Sequence, residues 1–111
     1  MNASVLARFQ VSHADDGTSL ALAIGDELIV ALPENPTTGY RWQLDSSGGA
    51  LVLENDESQT RGVPGADGTR RLRFRAAAPG RVRLHLQLRR EWEKAKPPSQ
   101  EFSLILDVQP R

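Results

Sequence analysis

His13 and His85 are the only imidazoles in the chain, and cysteine is absent. Without thiols there is no disulfide, no thiolate metal site and no cysteine nucleophile. Neither histidine sits in a metal-binding spacing, and a zinc site without cysteine would need carboxylates in support. No nucleophile elbow or glycine-rich phosphate loop accompanies the serines. Asp56-Glu57 and Glu91/Glu93 are acid pairs, but glycosidases work from large clefts that a chain of 111 residues can hardly enclose. The chain therefore reads as a non-enzyme, with no catalytic residue, no metal and no cofactor.

Binding chemistry is better represented. The segment Asn35-Pro36-Thr37-Thr38-Gly39-Tyr40 couples a proline with a glycine across two threonines. Pro36 fixes its own φ and drives Asn35 to an extended conformation. Gly39 permits a positive φ. The expected product is a stiff, narrow loop with short polar side chains, one that loses little entropy on entering a slot. A plain turn between two strands fits the same residues. A second segment, Gly65-Ala66-Asp67-Gly68, follows Gly62-Val63-Pro64 and reads as a mobile or tightly bent loop. A third, Arg90-Glu91-Trp92, ends a run of alternating residues. Continued alternation makes Trp92 a cap on the core, whereas exposure makes it an aromatic anchor of the kind that dominates binding energy. The residues alone leave those two readings open.

The elements that must hold these loops have a period of two. Leu72, Phe74 and Ala76 alternate with Arg71, Arg73 and Arg75. Val82, Leu84, Leu86 and Leu88 alternate with Arg83, His85, Gln87 and Arg89, and Phe102, Leu104, Leu106 and Val108 repeat the pattern. Each run predicts a strand with one buried and one wetter face. Shorter runs, Leu20-Leu22-Ile24, Leu28-Val30-Leu32, Tyr40-Trp42-Leu44 and Leu51-Leu53, do the same, with Val5 to Phe9 a weaker candidate. Glycine, proline and aspartate punctuate them, as at Asp15-Asp16-Gly17, Gly25-Asp26 and Pro79-Gly80. About eight short strands with no convincing helix predict an all-β antiparallel sandwich or barrel. One domain spans residues 1–111, and its longer connections are Pro33 to Gly39, Asp56 to Gly68 and Arg90 to Gln100. The predicted core includes Leu72, Phe74, Leu84, Leu86, Phe102, Leu104 and Leu106.

Composition narrows the partner. Hydrophobic residues make up 39% and charged residues 25%, as in ordinary globular domains, and the formal net charge is zero. Nothing global attracts nucleic acid or an anionic membrane. Residues 1–57 hold nine acids and two bases, residues 58–111 five acids and twelve bases. Either the arginines between Arg70 and Arg90 form a patch for an acidic partner, or they lie on a sheet face and are answered by acids from the first half. An arginine face for nucleic acid would want interleaved aromatics for stacking, and only 5% of residues are aromatic. The same scarcity weighs against a carbohydrate-binding face. No run approaches the roughly 18 apolar residues of a membrane span. Met1-Asn2-Ala3-Ser4 has no basic start before an apolar run. The expectation is a monomer, cytoplasmic, or periplasmic or secreted if a leader has been removed.

Taken together, the three loops resemble the chagasin family of cysteine-peptidase inhibitors, whose signature is N-P-T-T-G-[YF], then G-x-G-G, then R-P-W. The first motif is complete at Asn35, Pro36, Thr37, Thr38, Gly39 and Tyr40. The second is met by Gly65, Ala66, Asp67 and Gly68, with Asp67 in place of glycine, and the third by Arg90, Glu91 and Trp92, with Glu91 in place of proline. Asp67 adds charge and narrows the backbone. Glu91 adds charge and gives up the rigidity of a proline. The resemblance implies an immunoglobulin-like β-sandwich with the three loops side by side at one end. It implies reversible, non-covalent occlusion of a papain-like cysteine peptidase, with Thr37, Thr38 and Gly39 over its catalytic centre, Trp92 on aromatics of one flank and Gly65 to Gly68 along the other. The alternative is an immunoglobulin-like module that binds a protein or carbohydrate without inhibiting a peptidase.

Overall fold

The computed structural model describes residues 7–59, 68–93 and 95–111. They form eight strands: β1 Arg8–Val11, β2 Ser19–Ala23, β3 Glu27–Glu34, β4 Tyr40–Ser46, β5 Leu51–Gln59, β6 Gly68–Ala76, β7 Gly80–Arg90 and β8 Gln100–Gln109. Two single-turn 3-10 helices, His13–Asp15 and Pro36–Thr38, are the only helical segments among the described residues. One sheet has the order β1-β3-β6-β5 and the other β2-β8-β7-β4.

The period-two residues build the core between these sheets. Leu28, Val30, Leu32, Leu72, Phe74 and Ala76 face in from the first sheet, all fully buried. Leu84, Leu86, Phe102, Leu104 and Leu106 meet them from the second. Every residue of the predicted core is buried. Each large side chain contributes about 1.5–3 kcal/mol of transfer free energy, set against the entropy of ordering the chain.

The expected antiparallel arrangement needs one correction. Four of the six pairs are antiparallel, but β1 pairs with β3, and β2 with β8, in parallel. The chain passes from β1 in one sheet to β2 in the other and back to β3. Two reversals return it in its original direction, so β3 lies parallel to β1. The strand bounds also shorten two of the expected loops. Pro33 and Glu34 belong to β3, and β5 continues through the polar residues Glu54 to Gln59. That strand lies at a sheet edge and is exposed along nearly its whole length, so it carries no alternation beyond Leu53.

Arg71, Arg73 and Arg75 of β6 lie on the outer face of its sheet, and acids from the first half of the chain answer Arg73 and Arg75. Arg73 reaches Glu27 and Glu54 at 3.5 and 3.6 Å, Arg75 meets Glu54 at 3.0 Å, and Arg8 adds a further bond to Glu27. The arginines of these pairs are 41–61% exposed, so solvent screening keeps each contribution to about 1 kcal/mol even where Glu27 is buried. Part of the charge asymmetry is thus a cross-strand ladder within the domain.

Candidate functional site

Register places the loops at one end of the sandwich. Glu34 at the end of β3 faces Gly68 at the start of β6, and Gln59 at the end of β5 faces Thr69. In the other sheet Tyr40 at the start of β4 faces Arg90 at the end of β7. The β3–β4 connection, the two residues that flank 60–67 and the β7–β8 connection therefore share that end.

The β3–β4 connection is ordered by its own side chains. Asn35 Oδ1 accepts from the Thr37 amide at 3.1 Å and from Thr37 Oγ1 at 2.7 Å. Asn35 thus caps the single turn Pro36–Thr38, and proline takes the first helical position, where no amide hydrogen is needed. Thr38 Oγ1 donates to the Asn35 carbonyl at 2.8 Å and accepts from the Tyr40 amide at 3.3 Å. Gly39 then ends the turn with φ of +80°, a conformation that costs glycine nothing. Each residue type of the motif has a local task, and the polar groups are largely satisfied within the loop. Thr37 and Thr38 remain exposed at its tip.

Beneath the loop lies a group absent from the expected site. Glu34 and Arg70 occupy core-facing positions of β3 and β6, two residues beyond Leu32 and before Leu72. Their side chains are only 1% and 13% exposed, and they pair at 2.9 Å. Glu34 also accepts from the Trp42 amide at 2.7 Å and from Ser58 Oγ at 3.1 Å. Arg70 adds Asp56 at 3.0 Å. Burial works against the charge of Arg70, but hydrogen bonds and attraction from Glu34 and Asp56 outweigh it and hold the guanidinium above its ordinary pKa. Trp42 is buried and donates its ring N–H to the Pro33 carbonyl at 2.8 Å. Glu34 and Trp42 thereby tie both ends of the Asn35–Gly39 loop to one point. The signal was the parity of the strands: a glutamate and an arginine each stand where the alternation demands an apolar residue.

The β7–β8 connection carries Trp92, which is 72% exposed. It is not a core cap, because β7 ends at Arg90 and the chain turns there, the Glu93 amide donating to the Arg90 carbonyl at 3.1 Å. The turn is braced by Glu93, which meets Lys96 at 2.7 Å and Arg90 at 3.3 Å. The bond from Lys96, then its charge and that of Arg90, outweigh desolvation and hold the Glu93 carboxyl below the usual carboxylate range. Arg89 donates to the Lys96 carbonyl at 2.6 Å, and the Ser99 amide to the Leu88 carbonyl at 2.9 Å. Glu91, where the resemblance expects proline, is exposed in this turn.

The first and third loops touch. The edge of the Trp92 ring meets Gly39 so closely that a Cβ built there would collide with its Cη2. Arg90 stands between them, with its guanidinium 4.3 Å from the centre of the Tyr40 ring and 5.8 Å from that of Trp92. Gly68 is buried as the first residue of β6, opposite Glu34. Gly65, Ala66 and Asp67 lie outside the described residues.

Away from this end, the described residues bring one histidine against two carboxylates. His85 is buried on the outer face of its sheet, with Asp45 and Glu101 each 2.9 Å from one ring nitrogen. The two carboxylates stand on opposite sides of the ring, and no group of three or more acids and histidines among the described residues could hold a metal ion.

The chain and its fold have counterparts. Residues 21–106 match the family model described as Chagasin family peptidase inhibitor I42. Chagasin of Trypanosoma cruzi is 28% identical over 106 residues, covering 87% of this chain and 94% of chagasin. Amoebiasin-1 of Entamoeba histolytica is 28% identical over 101 residues, covering 89% and 98% of the two chains. The crystal structure of the cysteine protease inhibitor EhICP2 from Entamoeba histolytica superposes with a TM-score of 0.85 at 22% identity, over 93% of this chain and 96% of that one. Three-quarters of the residues fall within the family match, and the chain belongs to the chagasin family of peptidase inhibitors.

Proposed function

We propose that this protein inhibits papain-like cysteine peptidases by occluding the active-site cleft with the loops at the β3–β4 and β7–β8 end. The carrying observation is the Asn35–Tyr40 loop, which is closed by its own hydrogen bonds and backed by the exposed Trp92. Thr37, Thr38 and Gly39 form the tip that enters over the catalytic centre. Trp92 is the flanking anchor, and residues 65–68 supply the other flank. A tight turn is not an extended strand that a peptidase could align for cleavage, so the wedge blocks without being cut. Its order exists before binding, which spares the complex the entropy of fixing it.

Micromolar or lower protein should inhibit at least one papain-like peptidase competitively and be recovered intact by mass spectrometry after long incubation. Absence of inhibition across papain and several cathepsin-type enzymes would refute the proposal.

The wedge itself is tested at Thr38. Thr38→Val removes the hydroxyl that bonds Asn35 and Tyr40, whereas Thr38→Trp adds bulk as well. Both should fold, since exposed positions usually shift stability by about 0.5 kcal/mol, somewhat more where turn bonds are lost. Thr38→Ser should inhibit nearly as well as the parent, Thr38→Val moderately less, and Thr38→Trp far less than either. If Thr38→Trp matches Thr38→Val in its inhibition constant, the tip does not enter a closely fitting cleft.

A further inference from the structure

Arg90 has five possible donors and a planar face, and the structure uses both. Its Nε donates to the Thr38 carbonyl at 3.0 Å, across 52 residues of sequence. Its plane stacks over Tyr40, and its Nη1 reaches Glu93 in the following turn at 3.3 Å. Only about a third of its side chain is exposed. Beside this contact, the Cη2 edge of the Trp92 ring meets Gly39. We propose that Arg90 is a positioning residue that fuses the first and third loops into one preformed wedge, and that it acts by ordering Thr38, Gly39 and Trp92 more than by touching the peptidase. The proposal rests on the inhibitory reading of this end of the molecule and deepens it.

The chemistry favours arginine. The Thr38 carbonyl lies at the end of a single turn, where no further helical amide follows to take it up, and a planar guanidinium can bond it edge-on while stacking face-on with Tyr40. A lysine ammonium supplies a point charge and cannot do both in one geometry. Tyr40 starts β4 directly across from Arg90 on β7, so the clamp is anchored in the sheet on both sides. Glu93 restrains the guanidinium from the third loop. With the clamp removed, both loops keep their internal bonds but lose their mutual orientation. The competent arrangement then becomes one of several, and apparent affinity falls by the fraction of time it is populated.

The two roles predict different kinetics. A lost contact with the peptidase speeds dissociation, the usual effect of an interface mutation. A lost positioning residue lowers the competent population in the free protein and slows association, while the bound state is held together by the enzyme. For Arg90→Ala the expected result is about a tenfold or greater fall in the association rate constant, with dissociation changed much less.

A second measurement needs no peptidase. In the parent a Gly39 α-proton sits at the Cη2 edge of the Trp92 ring, so proton NMR of the full chain should find its resonance displaced from ordinary glycine by the ring current. Arg90→Ala and Arg90→Lys should both move it back toward the ordinary range, the lysine variant serving in full if the alanine variant fails to fold. Loss of the shift together with slowed association supports the clamp. A retained shift with faster dissociation means that Arg90 is a peptidase contact, and overturns it. So does a lost shift with unchanged association, or an ordinary Gly39 resonance in the parent. Should the parent inhibit no peptidase, the inhibitory reading fails on its own and the NMR comparison still decides whether the clamp exists.

Discussion

Replacing Glu34 by alanine should destabilise the fold by about 3–5 kcal/mol, the cost of breaking a buried ion pair from one side. The residue is 3% exposed and accepts from a backbone amide, a serine hydroxyl and two nitrogens of Arg70. Alanine leaves the Trp42 amide without its acceptor and strands a guanidinium that is largely buried, with only the half-exposed Asp56 to answer it. Glu34→Gln keeps the shape and an acceptor oxygen but loses the charge, and should cost roughly 1–3 kcal/mol. Replacing both partners together, for example Glu34→Leu with Arg70→Met, should recover much of the loss, because well-packed apolar pairs often equal buried salt bridges. A domain of this kind has about 5–15 kcal/mol to lose, so Glu34→Ala removes a large share of its stability. Urea unfolding at neutral pH measures the series. If Glu34→Ala stays within about 1 kcal/mol of the parent, Glu34 is not the point that ties the loop base together.

The same pair marks where the sequence was legible and where it was not. Alternation identified the core strands and their inward faces, because a one-residue slip would expose Phe74, Phe102 and the leucines beside them. It also held the information for Glu34 and Arg70, which share the parity of Leu32 and Leu72. Composition habits assign charged residues to the surface, and only the pairing of β3 with β6 reveals that these two meet. The first loop was readable because each of its residues has a local reason to be there, from the Asn35 cap to the positive φ of Gly39. Trp92 was ambiguous because alternation says nothing about where a strand stops. The parallel pairing of the two N-terminal strands and the length of the edge strand β5 were hidden for a related reason. Both depend on neighbours distant in sequence, and an exposed edge imposes no period of its own.

Trp92→Ala should weaken inhibition about thirtyfold, corresponding to the loss of about 2 kcal/mol that a truncated aromatic anchor commonly costs. Its effect on folding should be small, since the ring is 72% exposed and its removal opens no core cavity. The Cη2 edge of the ring is spent on Gly39 and Arg90 stands over the ring at 5.8 Å, which leaves the face away from Arg90 to meet a partner. That division makes the prediction sharper than a single substitution allows. Gly39→Ala puts a methyl group where the ring lies and also forces a positive φ on a side chain. In the parent background both penalties apply: the ring must leave its seat, and the left-handed backbone costs roughly 1–2 kcal/mol. In the Trp92→Ala background the collision is gone and only the backbone cost remains. Inhibition by the double variant should therefore exceed the value expected if the two losses simply added, a coupling characteristic of residues in contact. Additive losses would mean that Trp92 leaves Gly39 when the peptidase binds. A collapse of the thermal transition in Trp92→Ala alone would make the tryptophan a structural residue and remove it from the interface.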